Sequence, residues 1–152
     1  MKKSHFLIKV LIVFFFYISI GVAKESSYFI EGKKHFDNKE FDKSKILFER
    51  DLVFNPKSEK SYLFLAKIFD NDDNDDNDEE QEHNLKNVLL LNPANDEAIY
   101  MLALIKIKQS DYSEAKQLIN KFSLVCKSFC SKKKEIENKL DKLIPENAKN
   151  ND

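Results

Sequence analysis

Glycine occurs twice in the chain, at Gly21 and Gly32, and proline three times, at Pro56, Pro93 and Pro145. So few glycines leave no place for a phosphate-cradling loop, and so few helix breakers suit a chain that is helical throughout. Tryptophan is absent, and arginine is confined to Arg50 in a sequence rich in lysine and asparagine, a bias of composition that carries no function. His5, His35 and His83 are the only histidines, and none accompanies a recognisable nucleophile. Cys126 and Cys130 lack the two-residue spacing of a redox or haem motif, and no histidine stands near them for zinc. No catalytic constellation emerges, so the sequence reads as a non-enzyme without cofactor or bound metal.

What is present begins with a charged start, Met1-Lys2-Lys3, an apolar stretch from Val10 to Ile20, and the small residues of Gly21-Val22-Ala23. These are the three parts of a secretory signal, with cleavage expected after Ala23. Lys9 limits the uninterrupted apolar run to 14 residues, short of the roughly 20 that span a bilayer. The expectation is therefore an exported, periplasmic protein; the alternative is a membrane anchor through residues 10–23. No cysteine near the cut allows lipid attachment. Loss of residues 1–23 leaves 22 basic against 26 acidic residues, a net charge of −4 that argues against a nucleic-acid partner. A membrane partner is expected only during export or if the signal is retained.

Downstream, apolar residues recur at helical spacing. Ile99, Leu102, Ala103 and Ile107 share one helix face, with Asp96 placed to cap it, and Gln109-Ser110-Asp111 supplies turn formers. Tyr112, Ala115, Leu118, Ile119 and Phe122 then rebuild the period in a second helix. Two such helices cannot bury a face alone and need neighbours of the same kind.

The pair resembles a tetratricopeptide repeat, a helix-turn-helix unit of about 34 residues. The resemblance rests on Leu102-Ala103, Asp111-Tyr112 and Ala115, with small residues where the helices cross. An upstream copy carries Tyr28, Glu31-Gly32, Phe41, Phe48, Leu52 and Asn55-Pro56, with Ser44 where the family prefers alanine. A middle copy runs from Glu59 through Tyr62, Leu65-Ala66 and Phe69 to Asn92-Pro93. Gly32 to Pro56 is 24 residues and Ala66 to Pro93 is 27, so the middle copy is stretched by three. Gln81 there occupies a small-residue position, which predicts a displaced second helix. The resemblance implies an all-α, right-handed superhelical stack with repeats at about 25–58, 59–95 and 96–128. A capping helix is expected at about 129–144, with Lys132, Lys133, Lys134, Lys139 and Lys142 on its polar face, and a disordered tail at 145–152.

The segment Asp70 to Glu82 holds nine acids and no base. Alternating Asp and Asn oxygens suit calcium, but the EF-hand positions for Gly and Glu hold Asp75 and Gln81, so a solvated loop is the preferred reading. Cys126 and Cys130 suggest a disulfide in an exported chain, fixing the corner after the last repeat; two free thiols are the alternative.

The resemblance further implies a protein–protein interaction scaffold that binds a peptide or partner protein in the concave groove lined by the first helix of each repeat. Carried over by position, the groove presents Phe29, Lys33 and Phe36, then Leu63 and Lys67, then Tyr100, Leu104 and Lys108. Aromatics beside lysines suit an extended peptide carrying carboxylates. The asparagine-containing clamp of chaperone-binding members is not reproduced. The alternatives are a structural or assembly subunit of an envelope complex, docking through its convex or terminal surface, and a calcium-binding protein using the acidic loop.

Overall fold

A computed structural model describes residues 25–70 and 77–143. The expected signal at 1–23, the tail at 145–152 and the centre of the acidic run, 71–76, lie outside the described residues. Within them the chain forms seven α-helices and no strand. In chain order these are α1 (Ser27–Asp37), α2 (Phe41–Phe54), α3 (Glu59–Asp70), α4 (Asp78–Leu91), α5 (Asp96–Lys108), α6 (Tyr112–Val125) and α7 (Lys133–Leu143). A short 3-10 turn, Cys130–Lys132, precedes α7. Successive helices pair as hairpins, α1 with α2, α3 with α4 and α5 with α6, and α7 covers the end of the stack against α5 and α6.

Side-chain caps start three of the helices, α1, α5 and α6. The Ser26 hydroxyl accepts from the Phe29 amide at 3.1 Å, and Asp111 from the Glu114 amide at 3.0 Å. For α5 the cap is Asn95, which accepts from the Ala98 amide at 2.8 Å, and not Asp96 as expected. Asp96 is freed for a longer-range role described below. The hairpin turns reverse through Lys39 (φ 62°) and Ser110 (φ 61°), non-glycine residues held in the left-handed region. Asn55 and Asn92 close α2 and α4, each followed by a proline that cannot continue the helix.

Two cores fill the stack. The first is aromatic: Phe29 and Phe48 are buried, and Phe64 meets the rings of Phe36 at 5.0 Å and Phe48 at 5.2 Å. The second surrounds α5, which is apolar nearly all round and buries every residue from Ala98 to Ala103. A helix without a polar face belongs in the interior. Ala66 and Ala103 are fully buried where helices cross, and Ile136 and Leu140 of α7 seal the last face. Gln81 is accommodated as well: it is buried and donates to Asp70 Oδ1 at 3.0 Å, tying the start of α4 to the end of α3.

The solvated loop expected over Asp70 to Glu82 is overturned at its end. From Asp78 the segment is helical, and Asp78, Glu79 and Glu80 occupy the first turn of α4, where the helix dipole favours negative charge.

Candidate functional site

Polar links join each hairpin to the next at nearly the same offset. Glu25 pairs with Lys60, and Glu59 Oε1 accepts from Asn92 Nδ2 at 2.9 Å and Asn95 Nδ2 at 2.6 Å. Asp96 Oδ2 accepts from the amides of Lys127, Ser128 and Phe129 at 2.6, 2.6 and 3.0 Å. Each acid stands at the start of a first helix and reaches the start of the following unit. These links hold α1, α3, α5 and α7 as neighbours, the arrangement a groove requires.

The structure divides the expected groove residues by burial. Phe29 is 4% exposed and belongs to the aromatic core, and Tyr100 is 8% exposed between Phe122 and Phe129. The Tyr100 hydroxyl donates to Glu135 of α7 at 2.9 Å. Burial, with the Glu135 carboxylate beside it, pushes the phenol up to about 12. Phe36, Leu63 and Leu104 are half-buried, packed against the cores with part of each side chain in water.

Every groove lysine has an acidic neighbour. Lys33 Nζ lies 2.6 Å from Asp37, Lys67 Nζ 2.6 Å from Glu97, and Lys108 Nζ 2.9 Å from Asp78. Lys67 also sits over the Phe64 ring at 5.2 Å. The groove is thus an apolar strip edged by matched charges, less basic than its lysines alone suggested. A cleft of about 510 Å³ opens where α3, α5 and α7 meet, lined by Phe69, Met101, Leu104, Lys108 and Leu143 among others.

Two buried polar clusters were not anticipated. Asp51, 1% exposed on α2, accepts from the hydroxyls of Ser26 and Ser61 and from Asn55 Nδ2 at 3.0 Å. Burial works against its charge, but these donors prevail and hold the carboxyl below its usual range. Lys106, 7% exposed, donates to Glu82 Oε1 at 2.6 Å. A lysine inside the apolar run Leu102–Ile107 was the available signal, since its partner had to be brought by another helix. Among the described residues no group of three or more His, Cys, Asp or Glu side chains could hold a metal ion. No helix among them is long and apolar enough to cross a membrane. The sulfurs of Cys126 and Cys130 meet at bonding distance across the corner between α6 and α7, with Cα atoms 5.3 Å apart.

No protein-family model matches the sequence, and no curated protein matches it. Solved structures do. The Arabidopsis OM64 TPR domain superposes with a TM-score of 0.67 at 16% identity, covering 77% of this chain and 93% of that one. The first TPR of Spaghetti (RPAP3), bound to the HSP90 peptide SRMEEVD, gives 0.66 at 13% identity over 81% and 98% of the two chains. The Yersinia enterocolitica type III secretion chaperone SycD, in complex with a peptide of the translocator YopD, gives 0.63 at 8% identity over 76% and 88%. At such identities the likeness is one of architecture, and the chain has the fold of tetratricopeptide-repeat domains.

Proposed function

We propose that this chain is an exported, non-enzymatic scaffold that binds a peptide or partner protein in the groove formed by α1, α3, α5 and α7. The observation that carries the reading is the strip of half-buried Phe36, Leu63 and Leu104 on first helices, edged by Lys33, Lys67 and Lys108. Partly exposed apolar side chains on a rigid helical floor suit the anchors of an extended peptide, and lysines at the edge suit its carboxylates. Two of the structural neighbours hold peptides in their own complexes, which favours the same use of this fold here. In this reading the signal is removed after Ala23, the mature protein resides in the periplasm, and Cys126 and Cys130 are joined there.

Affinity capture from envelope extract tests it, using the processed chain as bait beside a variant with Lys33, Lys67 and Lys108 replaced by Gln. Gln keeps the side-chain length and removes the charge. Loss of the captured partner at unchanged helicity supports the groove. Equal capture by both baits overturns it. Mass spectrometry of the exported protein settles processing separately, since an N-terminus at Met1 contradicts cleavage.

A further inference from the structure

Three aliphatic side chains near the ends of second helices stand in water: Val53 is 76% exposed, Leu90 80% and Leu124 86%. Each lies two residues before its helix C-cap, Asn55, Asn92 and Cys126 respectively, so the stack repeats the position once per hairpin along one edge. Phe54, 68% exposed and stacked on Tyr28 at 5.6 Å, extends the row. Isolated exposed aliphatics are ordinary, but an aligned row of them is not.

The same edge carries positive charge. Arg50 and Lys121 sit three residues before Val53 and Leu124, on the same helix faces, and Lys57 and Lys127 follow the helix ends. Among the described ion pairs none involves these four side chains, whereas Lys33, Lys67 and Lys108 in the groove are all matched. Acids at the edge are engaged by partners: the exposed Glu25 pairs with Lys60, Glu59 holds Asn92 and Asn95, and Asp96 holds the amides after α6. Glu49, next to Arg50, stays exposed. Glu25, where the sequence preceding the fold joins it, lines a cleft with Phe54, Pro56 and Lys57 at this edge.

We propose that this edge docks on an anionic membrane surface, with Val53, Leu90 and Leu124 inserted among the headgroups and the flanking bases against lipid phosphates. Aliphatic groups combined with unpaired lysine and arginine are the chemistry that binds such an interface. Glu25, the first described residue, stands at the same edge. A second copy of the chain fits less well. A stable interface buries about 800 Å² per partner, and a two-fold contact sets like charges against each other. The inference stands apart from the groove reading and survives its failure.

The test uses the chain without residues 1–23, which keeps every described buried residue, from Phe29 onward. Co-sedimentation is measured with vesicles of phosphatidylcholine mixed with phosphatidylglycerol and with phosphatidylcholine alone. Binding to the anionic vesicles should be about ten-fold stronger or more, and should weaken as salt is raised. Combined Val53→Ser, Leu90→Ser and Leu124→Ser should lower it by about ten-fold at unchanged helicity. Arg50→Gln with Lys121→Gln should reduce the anionic preference, and decides the matter if the triple variant unfolds. Absence of vesicle binding, equal affinity for both vesicle types, or full binding by the variants overturns the proposal. A dimer abolished by the triple variant, without vesicle binding, overturns it in favour of a second copy.

Discussion

Lys106 and Glu82 form a 2.6 Å ion pair between α5 and α4, with the lysine side chain only 9% exposed and the carboxylate 12%. Glu82 also meets Lys86 at 2.6 Å and Gln109 at 2.8 Å, and Lys106 has Glu114 at 3.4 Å. Burial opposes the charge on Glu82, but the hydrogen bonds from Lys106, Lys86 and Gln109 outweigh it and hold the carboxyl at about 2. A depressed folded-state value stabilises the fold above the ordinary 4.5, and that contribution fades as pH falls from there toward about 2.

Glu82→Gln is accordingly expected to destabilise the chain at neutral pH by about 1–3 kcal/mol, because it leaves a nearly buried ammonium with only the more exposed Glu114 as its acid. The urea midpoint of the variant should also vary less between pH 4.5 and about 2 than that of the parent. Identical profiles would show that the pair does not couple to folding.

How far the fold was legible follows from such residues. Apolar spacing gave seven helices because each packs in a repeated geometry, α5 on nearly all sides and the others on one face, and the alanines mark the crossings. The groove was legible only as a list of positions. Phe29 and Tyr100 share the helical register of groove residues, but the aromatic core and α7 cover them, and neither cover is encoded locally. Asp51 looks like any surface acid beside Leu52, since two of its donors come from elsewhere, Ser26 at the cap of α1 and Ser61 on α3. Asp96 and Asn95 are equally good caps on paper, and only the chain returning 31 residues later distinguishes them.

Asp51→Ala should cost about 2–4 kcal/mol, since it leaves two hydroxyls and an amide without their acceptor in a tight interior. Asp51→Asn should recover little, because an amide cannot accept from all three donors on both oxygens. Chemical denaturation of the two variants checks this, and a cost below that of a typical surface substitution would contradict it.

At Gly32 an added methyl group would lie 2.9 Å from the fully buried Phe48 ring and 3.3 Å from Leu47 Cβ. Alanine gains helix propensity of roughly 1 kcal/mol over glycine, but overpacking costs about 1–3 kcal/mol. Gly32→Ala is therefore expected to lower the melting temperature, and Ala103→Trp, at a fully buried crossing, to lower it much further. An unchanged melting temperature for the tryptophan variant would tell against the close approach of α5 to its neighbours.

The acidic run predicts a contrast within itself. Asp78 and Glu82 are engaged by Lys108 and Lys106, whereas the three-residue excess in spacing falls before α4. Deleting Asp72 to Asn74 is expected to change stability by less than about 1 kcal/mol, because loop length enters the closure entropy only logarithmically. Thermal unfolding of the deletion beside Glu82→Gln separates the two parts, and a larger loss from the deletion would give the run a structural role.

The corner after α6 should behave as one unit. Asp96 accepts three consecutive amides, those of Lys127, Ser128 and Phe129, and these are the residues enclosed by Cys126 and Cys130. Burial disfavours the Asp96 charge, but the amides of Lys127, Phe129 and Ser128 bring its carboxyl below the ordinary range. A disulfide closing so small a loop contributes only about 2 kcal/mol by chain entropy, yet it also aligns the amides that Asp96 receives. Asp96→Ala and the pair Cys126→Ser with Cys130→Ser should therefore be non-additive in the oxidised protein, with a coupling of about 0.5 kcal/mol or more. The loss should appear as faster amide exchange in α7, because Phe129 packs on Tyr100 and α7 begins just beyond it. Additive effects, or exchange in α7 that ignores both changes, would mean that the apolar contacts of Ile136 and Leu140 and the Tyr100–Glu135 hydrogen bond hold the last helix in place without the corner.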